Sequence, residues 1–264
     1  MDDEQYTHLL IERPAPHVVV VTLDRPDVLN AINTRMGEEI ADLFHVLSDD
    51  GEVRAVVLRG SGVRAFCTGA DLKERNGISD AAWHAQHRVF EAAFRAVLEC
   101  RHPVIAAVDG FALAGGLELA LNCDLIIAGL GASFAQPEVM RGIMPGGGGT
   151  QLLSRLIGRG RAKELVFSGR RIDAELAERW GLVARVVDAG EAVPEAIALA
   201  TQIAANGPVA VRQAKLAIAR GLDTPLHHAL AVELDAYAAC IPTEDRHEGI
   251  RAFNEKRPPE FTGR

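Results

Sequence analysis

Apolar positions along the chain follow two registers. Short, nearly continuous runs occur at residues 8–13, His17–Leu23, Arg54–Arg59, 103–108 and Leu125–Ala128. Runs of that length, rich in Val and Ile and bounded by Gly, Pro or Asp, predict strands. Val18 to Val21 is an unbroken β-branched block, which predicts a strand buried on both faces. Pro14-Ala-Pro16 separates the first two runs as a hairpin, and Gly60-Ser-Gly62 turns the third. Between the runs the spacing becomes helical. Met36, Ile40, Leu43, Phe44 and Leu47 predict a helix ending near Asp49, capped by Asn33 or Thr34, and a longer helical region covers about 80–100. Further on come a short segment at Ser133–Val139, a glycine run at Pro145–Thr150 opening a helix to Ile157, helices at 160–168 and 173–179, and a strand at 182–187 after a turn at Gly181. Beyond Val193 no strand signal remains: helices are predicted at 193–205, 208–220, 225–239 and 243–254, then an extended tail from Lys256. The expectation is an α/β protein with a core over 1–192 that carries the site. A helical region over 193–264 must cover its own core or another subunit.

Charge and composition narrow the function classes. The 264 residues carry a net charge of −8, which argues against a general nucleic-acid surface and gives no support for binding anionic membranes. The start, MDDEQYTHLL, is acidic and reads as neither a signal nor a transit peptide. No apolar run approaches the ~18 residues of a membrane span. Cys67, Cys100, Cys123 and Cys240 lie far apart without metal or redox spacing, so free thiols in a reducing, cytoplasmic setting are expected. His84 and His87 sit one turn apart, but no third ligand is nearby and the helix reads as solvent-facing, so no metal site is expected. The chain lacks GxSxG, HExxH, P-loop and dinucleotide patterns; the glycine run at 145–149 reads as turn chemistry beside a site.

Three segments combine small residues with a polar one after a strand. In Gly110–Asp124, Glu118 is surrounded by Leu117, Leu119, Ala120 and Leu121, so it must face a pocket or a partner. Gly115 opens the same helix and offers a backbone N–H without a helical partner, one turn from the acid. The structural alternative is a tight crossover with Glu118 paired to an Arg. The second segment is the loop Cys67-Thr-Gly-Ala-Asp-Leu-Lys73, and the third is Gln136-Pro-Glu138. Two carboxyls and two accessible N–H groups suit a reaction through an enolate: the amides hold an oxyanion, and the acids handle water and a proton.

The chain resembles the enoyl-CoA hydratase/isomerase (crotonase) superfamily over essentially its whole length. The resemblance rests on Asp24-Arg-Pro26 with Leu29-Asn-Ala31, Phe66–Lys73, Pro103–Gly110, Gly115–Ala120, Cys123-Asp124, Gln136-Pro-Glu138 and Pro145–Gln151. It implies a crotonase-like spiral of ββα units with a C-terminal helical trimerisation region, packing as a homotrimer or a hexamer of two trimers. It implies Ala70 and Gly115 as the oxyanion donors, and Glu118 and Glu138 as the acids that activate water and exchange the α-proton. Val28, Ala70, Asp71, Leu72, Lys73 and Gly115 would line the acyl-CoA channel. Lys73 is either a partner for a CoA phosphate or an ordinary exposed lysine. No cofactor is implied, since coenzyme A is part of the substrate. The implied activity is reversible hydration of a 2-enoyl-CoA. Isomerisation of a 3-enoyl-CoA, and a non-catalytic acyl-CoA- or RNA-binding homologue, are the alternatives. Ala70–Arg75, Gly207–Ile218 and Ile241–Gly249 look like the methylglutaconyl-CoA hydratase branch; one member of that branch binds RNA, a role that the acidic balance here speaks against. Two residues depart from the common pattern: Ala114 where glycine is frequent, and Leu152 where relatives carry Arg. Met140, Ile143 and Met144 read equally as pocket lining or as core.

Overall fold

The structure, a computed structural model, describes residues 6–264; the first five residues of the acidic start lie outside the described part. The chain begins with β1 (Leu9–Ala15), β2 (Val18–Leu23), α1 (Thr34–Asp49) and β3 (Ala55–Gly60). β4 (Ala65–Cys67), α2 (Leu72–Arg75), α3 (Asp80–Leu98), β5 (Val104–Val108), β6 (Phe111–Leu113) and α4 (Gly115–Leu121) follow. Then come β7 (Leu125–Gly129), β8 (Ser133–Ala135), α5 (Gly149–Ile157), α6 (Arg159–Ser168), β9 (Ile172–Asp173), α7 (Ala174–Trp180) and β10 (Arg185–Val187). The chain closes with α8 (Ala192–Ala204), α9 (Pro208–Leu222), α10 (Leu226–Cys240) and α11 (Glu244–Glu255).

Two sheets organise these elements. The larger has the order β1-β2-β3-β5-β7-β10 and is parallel except for the β1–β2 hairpin. The smaller has the order β4-β6-β8-β9. The chain therefore steps from the large sheet to the small one three times, at β3–β4, β5–β6 and β7–β8, and returns each time through helix. These are the ββα units. The steps are short because small residues allow close approach: a Cβ on Gly116 would stand 2.1 Å from the carbonyl oxygen of Cys67, so α4 lies directly on β4.

Both faces of the large sheet are covered. Val19, Val21, Val56 and Leu58 pack with the α1 residues Ile40, Leu43, Phe44 and Leu47. Val18, Val20, Val57 and Ile105 pack on the other side with Ala192, Ala196, Ala200 and Ala204 of α8. The Val18–Val21 block is buried throughout, as a strand sandwiched between two layers must be. The helix predicted from Val193 thus closes the core of the preceding units, and the chain has no break in packing at 192/193. The remaining helices are different: α9 and α10 pack on one another, and Ile218, Leu222, Leu226, Leu234 and Tyr237 stay exposed. Asp245 holds the tail by accepting from the N–H groups of Thr262 (2.7 Å) and Gly263 (2.9 Å).

α9 is tethered through Lys215, whose Nζ donates to Asp124 Oδ2 (2.7 Å) and to the carbonyl of His102 (3.0 Å). The His102 ring beneath it is buried, and neither ring nitrogen has a hydrogen-bond partner. Burial, helped by the charges of Arg212 and Lys215 and opposed by Asp50, lowers its pKa to about 4. A histidine held neutral in the fold binds its proton more readily when unfolded. Its contribution is complete above the unfolded pKa of about 6.5 and is lost as pH falls toward 4, a loss of about 3 kcal/mol. Denaturant titrations between pH 4 and 7 should show this slope in the native protein and a shallower one in His102→Phe. Equal slopes would exclude His102 as the source.

Candidate active site

The ββα steps bring the ends of β4, β6 and β8 to one cavity of about 860 Å³, walled on the opposite side by α2 and α3. Ala70 and Gly115 sit side by side in it. Residues 69–71 form a parallel bridge with Ile32, in which Ile32 N–H donates to the Gly69 carbonyl and Asp71 N–H to the Ile32 carbonyl, each at 2.8 Å. Successive backbone N–H groups in extended chain alternate in direction, so the Ala70 N–H points away from Ile32. Gly115 is the first residue of α4 and has no carbonyl a turn earlier to donate to. Neither N–H donates to any group among the described residues. A Cβ on Gly115 would lie 3.8 Å from the Ala70 nitrogen, which makes the two amides neighbours.

Glu118 is buried one turn along α4. No arginine among the described residues pairs with it. Its Oε1 accepts from the backbone N–H groups of Gly147 (2.7 Å) and Gly149 (2.9 Å). Burial raises its pKa, while those N–H bonds work the other way. The glycine run is thus a cradle for a carboxylate. It cannot carry side chains: a Cβ on Gly147 would stand 2.2 Å from the Phe94 ring and 3.0 Å from Glu118 Oε2.

Glu138 opens a 3₁₀ turn, Glu138–Arg141, and is also buried against the cavity. Burial raises its pKa to about 7; its own backbone N–H opposes the shift and the charge of Glu118 adds to it. Gln136 is fully buried beside it. With its amide nitrogen turned toward the acid, that nitrogen lies 2.8 Å from Glu138 Oε1 and 3.0 Å from Oε2. The Gln-Pro-Glu motif therefore contains an orienting group as well as an acid, a role for Gln136 that sequence reasoning did not assign.

Of the residues predicted to line the channel, Ala70, Leu72 and Gly115 line the cavity, whereas Val28, Asp71 and Lys73 do not. Leu29 faces it in place of Val28, because the turn after Val28 enters the left-handed region at Leu29 (φ 56°) and Asn30 (φ 54°). Asp71 instead caps α2, accepting from the N–H of Lys73 (3.0 Å), and pairs with Arg25 (3.0 Å). Burial pushes its carboxyl up, but Arg25 and two backbone N–H groups outweigh that and hold it below the usual range. Lys73 is exposed on α2. Met140, Ile143 and Met144 line the cavity and are partly exposed, so they are not core residues. Trp83, His84 and His87 line it too, His84 while remaining exposed. No cluster of His, Cys, Asp and Glu suited to a metal ion occurs among the described residues.

Two unpartnered amides and two buried carboxyls of unlike surroundings define a site for polarising a carbonyl and moving protons beside it. Residues 14–264 match the model of the enoyl-CoA hydratase/isomerase family, and the chain belongs to that family. It is 44% identical over 240 residues to the short-chain-enoyl-CoA hydratase of Clostridium acetobutylicum, covering 91% of this chain and 92% of the relative. It is 40% identical over 256 residues to the crotonyl-CoA hydratase of Syntrophomonas wolfei, covering 97% and 98%. The crystal structure of an enoyl-CoA hydratase from Bacillus anthracis superposes with a TM-score of 0.96 at 43% identity, covering 98% of this chain and all of that one. The fold is the crotonase fold.

Ala114, between β6 and the Gly115 donor, takes φ 50° and ψ −129°, a conformation that suits glycine. Such strain costs about 1–3 kcal/mol, while a glycine costs about 0.4–1 kcal/mol through the unfolded chain. Ala114→Gly should therefore stabilise the protein by about 1 kcal/mol. A lower unfolding midpoint in denaturant for the variant would show that no strain is stored there.

Proposed function

We propose that the protein is an enoyl-CoA hydratase, adding water reversibly across a 2-enoyl-CoA to give a 3-hydroxyacyl-CoA. The observation that carries this reading is the pair of buried acids, Glu118 and Glu138, lining one cavity with the free N–H groups of Ala70 and Gly115. The thioester oxygen accepts from the two amides, which draw electron density from the double bond and favour the enolate. Glu118 accepts two backbone N–H bonds and is the better placed to stay ionised. It takes a proton from water as the oxygen attacks C3. Glu138, whose surroundings favour the protonated form, gives its proton to C2. The pair begins and ends with one proton, so no net proton is consumed, and the reverse reaction uses the same singly protonated pair.

The family also includes isomerases that shift a double bond from C3 to C2, and Glu138 alone could shuttle that proton. The second buried acid, cradled by two glycine amides, favours hydration. Run in heavy-oxygen water, hydration places the label on C3 and isomerisation leaves it unlabelled.

The same reading extends to assembly and setting. A homotrimer, alone or paired into a hexamer, would cover the exposed apolar residues Leu222, Leu226, Tyr237 and Phe253. The four free cysteines, three of them buried, fit a cytoplasmic location, and the net charge of −8 speaks against nucleic acid as the partner.

Glu118→Gln and Glu138→Gln should each lower kcat for hydration of crotonyl-CoA by about 10²–10⁴-fold with unfolding midpoints near that of the native protein. Near-native turnover in both would sink the reading. For kcat/KM, both hydration and its reverse should fall together as pH rises above about 7, where Glu138 loses its proton. A profile still rising through pH 8 would remove Glu138 as the acid.

A further inference from the structure

The loop that cradles Glu118 contains four successive glycines, 146–149. Glycine loses more conformational freedom on folding than any other residue, so such a loop needs ties to hold its amides in one place. Among the described residues, two side chains hydrogen-bond to it, and both belong to the α4 segment. One is Glu118 itself. The other is Asn122, the buried residue that closes α4 one turn beyond the acid. Its Nδ2 donates to the carbonyl of Glu118 at 2.8 Å and to the carbonyl of Gly147 at 2.9 Å. The Gly147 N–H in turn donates to Glu118 Oε1 at 2.7 Å. Gly147 is therefore gripped at both of its backbone groups: the carboxylate takes its N–H and Asn122 takes its carbonyl. The next residue lies over the same amide, since a Cβ on Gly148 would stand 3.6 Å from Asn122 Nδ2.

The two grips depend on different things. A hydrogen bond to an ionised carboxylate is roughly twice as strong as one between neutral groups, so the grip through Glu118 slackens when that acid takes up a proton. Asn122 carries no charge and makes its two bonds whichever form the acid is in. It does not line the cavity, so it acts on the loop and not on a bound substrate. A loop tied only through Glu118 would loosen at the step that protonates the acid. It would then have to be reordered before the acid could ionise again.

We propose that Asn122 is a positioning residue: by tying the Gly147 carbonyl to the backbone of α4, it keeps the Gly147 and Gly149 N–H groups aimed at Glu118 Oε1 while that carboxyl gains and loses a proton. The proposal rests on the reading of Glu118 as the base that takes a proton from water, but the tie itself can be tested without turnover.

Two uncharged variants separate the bonds. Asn122→Leu removes both. Asn122→Ser keeps a hydroxyl that can bond back to the Glu118 carbonyl but is too short to span to the loop. With crotonyl-CoA, both should lower kcat by about tenfold or more and change KM by less than about twofold. Weaker support from the amides raises the pKa of Glu118, and the base must be ionised to act. The acid limb of kcat/KM should therefore move to higher pH by about one unit, with the limb near pH 7 unmoved. The other titratable groups around Glu118 are the same in both variants: Glu138 in the cavity, His87 and the Glu91–Arg95 pair on α3, and Arg155, paired with Asp223, on α5. Hydrogen exchange of segment 146–152 in the substrate-free protein should be about tenfold faster or more in both variants. Native kcat, an unmoved acid limb or native exchange in a folded variant overturns the proposal; a fall in kcat with the limb unmoved is what a merely structural asparagine would give. Native protein that hydrates no enoyl-CoA removes the hydratase reading instead, and the exchange rates then decide whether Asn122 ties the loop.

Discussion

A carboxylate buried against leucines without a counter-cation is the constraint on which the site depends. Glu118 is held by amides alone, and the donors are glycines of one loop. The loop can approach only because positions 147 and 149 lack side chains, and the space they leave is taken by Phe94, Gln136 and Glu118 itself. A lysine or arginine in that position would neutralise the acid permanently and quench it as a base. Backbone dipoles stabilise the ionised form less completely, so the burial penalty is only partly offset and the group stays within reach of protonation. The same balance separates the two acids. Glu138 has less backbone support and feels the charge of Glu118, so its proton is retained near neutrality.

Much of this is legible in the sequence because the signals are local. The β-branched block at Val18–Val21 marks a strand covered on both faces, and Asn33 caps α1 through a bond to the Met36 N–H. The two free amides and both buried acids lie in motifs of a few residues. What the sequence hides depends on distant partners. Asp71 reads as a channel residue because its neighbours are, yet Arg25, far away in the chain, turns it into a structural anchor. Val28 and Leu29 exchange roles because Asn30 is locked by its side-chain bonds to the carbonyls of Ser61 and Ala65, which forces a left-handed turn that no spacing reveals. α8 reads as the start of an appendage because alanines at every fourth position give a weak apolar stripe. Against Val18, Val20 and Val57 those small residues are what lets the helix lie close on the sheet.

The residues of the site divide by what fixes them. The two free amides are backbone groups, positioned by the Ile32 bridge and by the step from β6 into α4. Side-chain identity at positions 70 and 115 matters there only through space. Such a device tolerates sequence change and is costly to move, because moving it means moving the sheets. The opposite wall is built from side chains, with Arg75, Trp83, His87 and Phe94 lining the cavity from α2 and α3. α3 packs on α1, and its Phe94 stands against the Gly115 and Gly147 positions. Amides fixed by backbone on one wall and side chains of an adjoining helix on the other are a direct result of a fold whose strands change sheets at the cavity. The same separation explains why the reaction can be read from short motifs, whereas the acyl chain can be read only from the wall that the folded helices present.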